Sequence, residues 1–239
     1  MMSIEKNLII AVLRLTKDGA ASHELINKEA GIPSDSARRL LNRLQDEGLV
    51  YVRRGQVEVD SLNRLKLAVR AISLGADSEH VGSLLQWREF EGVAAATLER
   101  SNYVVSRNLR FKHAGRRWEM DIVACKKPLV VCIDCKHWRH GICPSALKNI
   151  VKEQIERAKA FAECMPNPAK IECASWDKVK IVPSVLSLVP SNVKFVDDVC
   201  VVPIFQLQDF LNQLPVHANS LKHFLVATHN FENRLLRKP

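Results

Sequence analysis

Asp121 and the triplet Asp134-Cys135-Lys136 are the residue types from which phosphate-ester chemistry can be built. They lie in residues 118–136, where β-branched and apolar residues flank a Lys126-Lys127-Pro128 turn signal, the pattern of two short strands joined as a hairpin. A hairpin centred between Lys127 and Pro128 pairs Asp121 with Asp134 and Glu119 with Lys136 on one face, while Val131 and Ile133 take the other. Like charges set opposite each other destabilise a hairpin, and a divalent cation held between the two carboxylates removes that cost. Oxygen-only ligands suit Mg²⁺, with Mn²⁺ as a substitute. A lysine two residues beyond one ligand can orient or help deprotonate a metal-bound water, or stabilise charge developing on a phosphate. An exposed hairpin face with a few solvated charges has the same spacing, because D-x-K is common.

The elements around the hairpin supply further candidates. Residues 84–100 read as a helix with Leu84, Trp87, Glu91, Ala94 and Leu98 on one stripe, which sets a carboxylate on an apolar face. Buried unpaired, Glu91 would be costly, so it needs a metal, a lysine or a backbone donor, unless it reaches solvent at the boundary. Residues 103–105 read as a strand and lead into the basic stretch Arg107, Arg110, Lys112, Arg116 and Arg117. Beyond the hairpin, Ser145 caps a helix to about Cys164 whose stripe is Leu147, Val151, Gln154, Ala158 and Phe161. Gln154 interrupts it with polarity, and Lys148 and Lys152 can reach a phosphate. Cys132, Cys135, His137, His140 and Cys143 suggest zinc, but residues 132 and 135 point to opposite faces of a strand and the remainder lack a fourth ligand of standard spacing.

Asp121, the Asp134-Cys135-Lys136 triplet thirteen residues on, and a preceding helix carrying Glu91 resemble the PD-(D/E)xK nuclease superfamily, and within it archaeal Holliday junction resolvases and Mrr-type restriction endonucleases. The resemblance runs from Phe90-Glu91 through residues 98–105 and the hairpin to the helix around Gln154, roughly half the chain. Met120 stands where the family has a nominal proline, and Asp134 where glutamate is commoner. The resemblance implies an α/β fold, a restriction-endonuclease-like mixed sheet flanked by helices. It implies Asp121, Asp134, Glu91 and the Cys135 carbonyl as metal ligands, Lys136 as the residue that activates water, and Gln154 near the site. It also implies dimers.

The N-terminal sixty residues read as three helices (4–17, 22–30 and 36–47, the last capped by Ser34 or Asp35) and a strand pair turning near Arg54-Gly55. They resemble a winged helix-turn-helix domain. Its DNA contacts would be Arg38, Arg39 and Arg43 on the third helix and Arg53 and Arg54 in the wing. Nine Lys/Arg balance nine Asp/Glu there, which equally suits a protein-interaction module. Residues 61–86 read as a helical connector with Leu62, Leu65, Val69 and Ile72 as its stripe, and 87–239 as the nuclease-like domain. Near the C-terminus, strands are expected over 178–189 and 195–202, and short helices over 205–214 and 219–224.

Charge and composition bound the partners. The net charge is +9 and the sequence pI near 9.3. Residues 105–140 hold nine Lys/Arg, Arg139 among them, against Glu119, Asp121 and Asp134, so the excess surrounds the proposed site. No apolar run approaches a membrane span, no signal-peptide pattern opens the chain, and seven cysteines without one point to a cytoplasmic, reduced setting. The leading expectation is a Mg²⁺-dependent endonuclease on DNA, as a homodimer. RNA is open, since metal chemistry at phosphate does not reveal the sugar, and a non-catalytic DNA-binding regulator is the rival class.

Overall fold

The computed structural model describes residues 2–136, 144–165, 171–188 and 193–227. The zinc candidates His137, His140 and Cys143, and Arg139, lie outside them. The chain divides into two compact units between Val93 and Ala94.

The first unit opens with α1 (Met2–Leu15), β1 (Ala21–Ser22), α2 (His23–Ala30) and α3 (Ser34–Asp46). β2 (Tyr51–Arg53), β3 (Gln56–Glu58), α4 (Ser61–Ser73) and α5 (Ser78–Leu84) follow, then the first turns of α6 (Trp87–Arg100). Ser22 Oγ accepts from Leu25 N at 3.1 Å and caps α2, and Gly31 closes it in the left-handed region at φ 62°. α3 starts at Ser34 behind Pro33 without a side-chain cap, so neither Ser34 nor Asp35 serves as one. β2 and β3 turn through Arg54 (φ 48°) and Gly55 (φ 74°), and with β1 form a three-stranded sheet in the order β1-β3-β2.

Residues 61–86 are two helices packed inside this unit, and the buried residues of α4 include Arg64 beside Leu65, Leu67, Ala68 and Ala71. The expected stripe is therefore rotated, with Leu62 exposed. Arg64 is 2% exposed and donates to Glu89 Oε1 (2.6 Å), Leu13 O (2.9 Å), Thr16 Oγ1 (2.8 Å) and Leu84 O (2.8 Å). One guanidinium thus ties α1, α4, α5 and α6 together. Glu89 uses its other oxygen on Gln86 N at 2.7 Å, which caps the start of α6.

The second unit continues from α6 through β4 (Val104–His113), β5 (Arg116–Lys126), β6 (Leu129–Lys136) and α7 (Pro144–Cys164). β7 (Lys178–Ser187), β8 (Phe195–Val196), β9 (Val199–Pro203), α8 (Leu207–His217) and β10 (Phe224–Ala227) complete it. The fold is mixed α/β. Its sheet runs β4-β5-β6-β7-β9-β8, with β10 on β7, and only the β6–β7 and β7–β9 pairs are parallel. β6 is buried from Leu129 to Cys135, as a central strand covered on both faces must be. α7 packs its Ala158 and Phe161 on Val123, Cys125, Val130 and Cys132 of β5 and β6.

Two expectations change here. The basic stretch is part of long strands, because Leu109 and Phe111 alternate into the core. Residues 219–224 form no helix; the chain turns there and re-enters the sheet as β10, on the N-terminal half of β7. Among the described residues no helix is long and apolar enough to cross a membrane.

Replacing Arg64 by Met leaves Glu89 buried without its cation. The full chain is expected to lose about 3–5 kcal/mol in chemical denaturation, and Glu89→Gln added to it should recover part of that loss.

Candidate active site

The β5–β6 ladder runs from Lys126↔Leu129 to Ile122↔Ile133, the register set by a turn centred between Lys127 and Pro128. One step beyond its last pair, Asp121 and Asp134 stand at the open end of the hairpin. Asp121 Oδ2 accepts from the backbone N–H of Cys135 at 2.8 Å, which holds the Cys135 peptide against this carboxylate. On the other side the β4–β5 ladder skips Asn108, between Arg107↔Ile122 and Leu109↔Met120, so Asn108 lies across from Asp121. Its φ of 52° is a left-handed conformation that asparagine tolerates better than most residues. The sheet's regular pairing is therefore interrupted on one side of Asp121 and ends on the other.

Asp134 is 2% exposed and faces α7. Arg157 Nη1 donates to its Oδ1 at 2.7 Å, and Lys136 Nζ lies 3.0 Å from Oδ2. Gln154 is fully buried. Its Nε2 donates to Cys132 O at 2.7 Å and Ser184 O at 3.3 Å on neighbouring strands, and its Oε1 accepts from Arg157 at 2.9 Å. Asp121 of β5, Asp134 and Lys136 of β6 and Gln154 of α7 thus meet at one end of the sheet. Arg157 joins them and was missed from sequence; its one signal is that it follows Gln154 by three residues, on the flank of the same buried stripe.

Burial pushes the Asp121 carboxyl up to about 6; the Cys135 N–H opposes this, the neighbouring Asp134 charge adds to it, and Lys136 and Arg157 pull it back. Among the described residues no group of three or more His, Cys, Asp or Glu side chains could hold a metal. The oxygen-bearing side chains at the hairpin end are the two carboxylates, a set that suits Mg²⁺, which keeps waters and binds through one or two carboxylates plus substrate phosphate.

The other candidates are placed as follows. Glu91 belongs to the first unit, where it is buried and accepts from the indole Nε1 of Trp87 one turn earlier. In that unit Arg38 pairs with Asp35 (2.7 Å) and Arg39 lies 3.5 Å from Ser36 Oγ. Arg43 is held by Glu5 and stands 3.7 Å from Glu47, while Arg53 and Arg54 are exposed in the hairpin. In the second unit Lys148 and Lys152 are exposed on α7, and Arg107, Arg110, Lys112, Arg116 and Arg117 are exposed on the β4–β5 ribbon. There Arg110 pairs with Glu119 (3.1 Å), but Lys112 lies opposite Arg117, and His113 opposite Arg116. Arg116 stacks 3.9 Å over the Trp118 ring. A groove of about 590 Å³ is lined by Arg110, Phe111, Lys112, Arg117, Trp118 and Glu119.

Residues 86–183 match the family model of the nuclease-related domain, NERD. The match spans the start of α6 to the middle of β7 and contains every residue of the hairpin site, which is consistent with a nuclease domain of the restriction-endonuclease-like type. A protein of Archaeoglobus fulgidus that bears the name "Uncharacterized protein" is 25% identical over 148 residues, 62% of this chain and 99% of that one. The crystal structure of protein VC1899 from Vibrio cholerae aligns with a TM-score of 0.34 and 12% identity over 92% of this chain. The chain spans about half the length of that protein.

Because its pKa is raised on folding, Asp121 contributes stability that is complete below its unfolded value of about 4 and lost as the pH rises through about 6. Metal-free Asp121→Asn protein should therefore melt with the wild type near pH 4 and above it from about pH 6.5 upward. Thermal melts in chelator across that range read the difference.

Proposed function

We propose that this chain is a divalent-metal-dependent endonuclease acting on DNA. The observation that carries the reading is the hairpin end, where Asp134 is buried beside Lys136, Asp121 holds the adjacent peptide, and both carboxylates lie in the matched nuclease-related stretch. Asp121 and Asp134 would hold Mg²⁺ or Mn²⁺, with the Cys135 carbonyl as a further oxygen. Such an ion, when bound, polarises a phosphate and acidifies a bound water. Lys136 pairs with Asp134 at the edge of the site. Its ammonium donates to the attacking water or to the non-bridging phosphate oxygens as charge builds on them.

The β4–β5 ribbon is proposed to grip the substrate backbone. Cationic side chains directly opposite one another destabilise a strand pair, and Lys112 opposite Arg117 carries that penalty on an exposed ribbon. A polyanion laid along the ribbon relieves it, and phosphate contacts there position the duplex without reading sequence. The N-terminal sixty residues of the first unit, α1–α3 with a short three-stranded sheet, are proposed to be a winged-helix module. Arg38, Arg39, Arg53 and Arg54 are then its candidate DNA contacts; Arg43, engaged by Glu5, is the least available. A homodimer completes the reading for a two-strand substrate and is tested by sedimentation.

A cleavage panel with Mg²⁺ tests the activity on four-way junction, linear duplex, methylated duplex, single-stranded DNA and RNA. Cleavage should fall by about 10²-fold or more in Asp134→Asn and Lys136→Ala proteins that melt normally. No cleavage of any substrate, with duplex binding intact, would instead favour a DNA-binding regulator. For the ribbon, Arg116→Ser/Arg117→Ser should weaken duplex binding at all sequences alike. It should also lower the salt dependence of log K by about two phosphate contacts, read by fluorescence anisotropy.

A further inference from the structure

We propose that Arg157 is a positioning residue that sets which cation the site prefers, by leaving Asp134 a single oxygen to offer. The inference rests on the reading of Asp134 as a metal ligand.

The geometry forms a relay from the sheet backbone to the carboxylate. Gln154, fully buried, is anchored by its amide nitrogen on the carbonyls of Cys132 and Ser184, which belong to the adjacent parallel strands β6 and β7. Its Oε1 is thereby aimed at Arg157, and Arg157 Nη1 divides itself between that oxygen (2.9 Å) and Asp134 Oδ1 (2.7 Å). Both bonds are made by one planar, permanently charged group whose side chain is 17% exposed. Lys136, on the other oxygen, is a different kind of partner. Its side chain is 31% exposed at the end of β6, and an ammonium on a flexible stem can move aside.

A carboxylate held in this way at Oδ1 presents Oδ2 alone to an incoming ion. One-oxygen coordination suits Mg²⁺ and Mn²⁺, which take about six ligands in octahedral geometry. Ca²⁺ takes about 6–8 oxygens and readily uses both oxygens of a carboxylate, so it loses more from a clamped Oδ1. Gln154 then acts through Arg157 and touches neither metal nor substrate.

The test is calorimetric titration of the full chain with Mn²⁺ and, separately, Ca²⁺, without nucleic acid, together with the electron paramagnetic resonance spectrum of bound Mn²⁺. Wild type should prefer Mn²⁺. Arg157→Met should lower the Mn²⁺/Ca²⁺ affinity ratio by on the order of 10-fold and alter the Mn²⁺ spectrum. Arg157→Gln serves as the second removal variant, with thermal melts confirming that each protein folds. Arg157→Lys keeps the charge but replaces the planar guanidinium by an ammonium on a shorter, more flexible stem, so the proposal requires that it too shows a lowered ratio. A ratio and spectrum unchanged in the removal variants, or fully restored by lysine, would overturn the positioning role while leaving Asp134 as a ligand. Absence of any Mn²⁺ or Ca²⁺ binding by wild type would overturn the metal-site reading, and this inference with it.

Discussion

A carboxylate that is almost completely shielded from water sets the terms for the second unit. Asp134 is 2% exposed, and an ionised group so placed is tolerated only when its charge and its lone pairs are met. Its two oxygens are met from different directions, by Arg157 on α7 and by Lys136 on its own strand. α7 must therefore cross the sheet with residue 157 level with residue 134, and Gln154 locks that level by bridging two strand carbonyls. Buried ion pairs seldom add net stability against a well-packed apolar alternative. Their presence here fits a site kept for its chemistry, with Ala158 and Phe161 of the same helix supplying the apolar contact that holds α7 down.

The parts legible in the sequence were those governed by local rules. The hairpin register followed from a turn signal and a period of two, and the observed pairs from Lys126↔Leu129 to Ile122↔Ile133 carry it to the edge of the site. Gln154 was visible as a polar residue in an apolar helical stripe, and it is fully buried. Arg157 was not visible, since its meaning depends on a strand residue 23 positions earlier, a tertiary contact that no periodicity records. Arg64 was hidden for a related reason. An arginine within a helix reads as solvated, and only the convergence of Leu13, Thr16, Leu84 and Glu89 makes it a core residue.

Short elements were the least legible. The four residues of β10 become a strand because β7 offers an unfilled edge, and their intermediate–exposed alternation is too brief to announce a sheet. The strand expected over 103–105 was too short because the charges of the basic run in β4 and β5 mask Leu109 and Phe111, the two side chains that pack on the core.

The same edge bears on what counts as a domain here. Along β7, residues 178–181 are flanked by β10 and residues 184–187 by β9, while β6 runs along the opposite side. The matched nuclease-related stretch stops at 183, inside this strand. A fragment cut at that border would lose the second half of β7 itself and the β10 neighbour of the half that remains, exposing a row of unpaired amides and carbonyls that invites edge-to-edge association. At the other border it would keep Glu89 but not Arg64. A boundary drawn by sequence similarity and one drawn by physical closure thus differ in this chain, and the smallest self-satisfied piece is larger than the recognisable one.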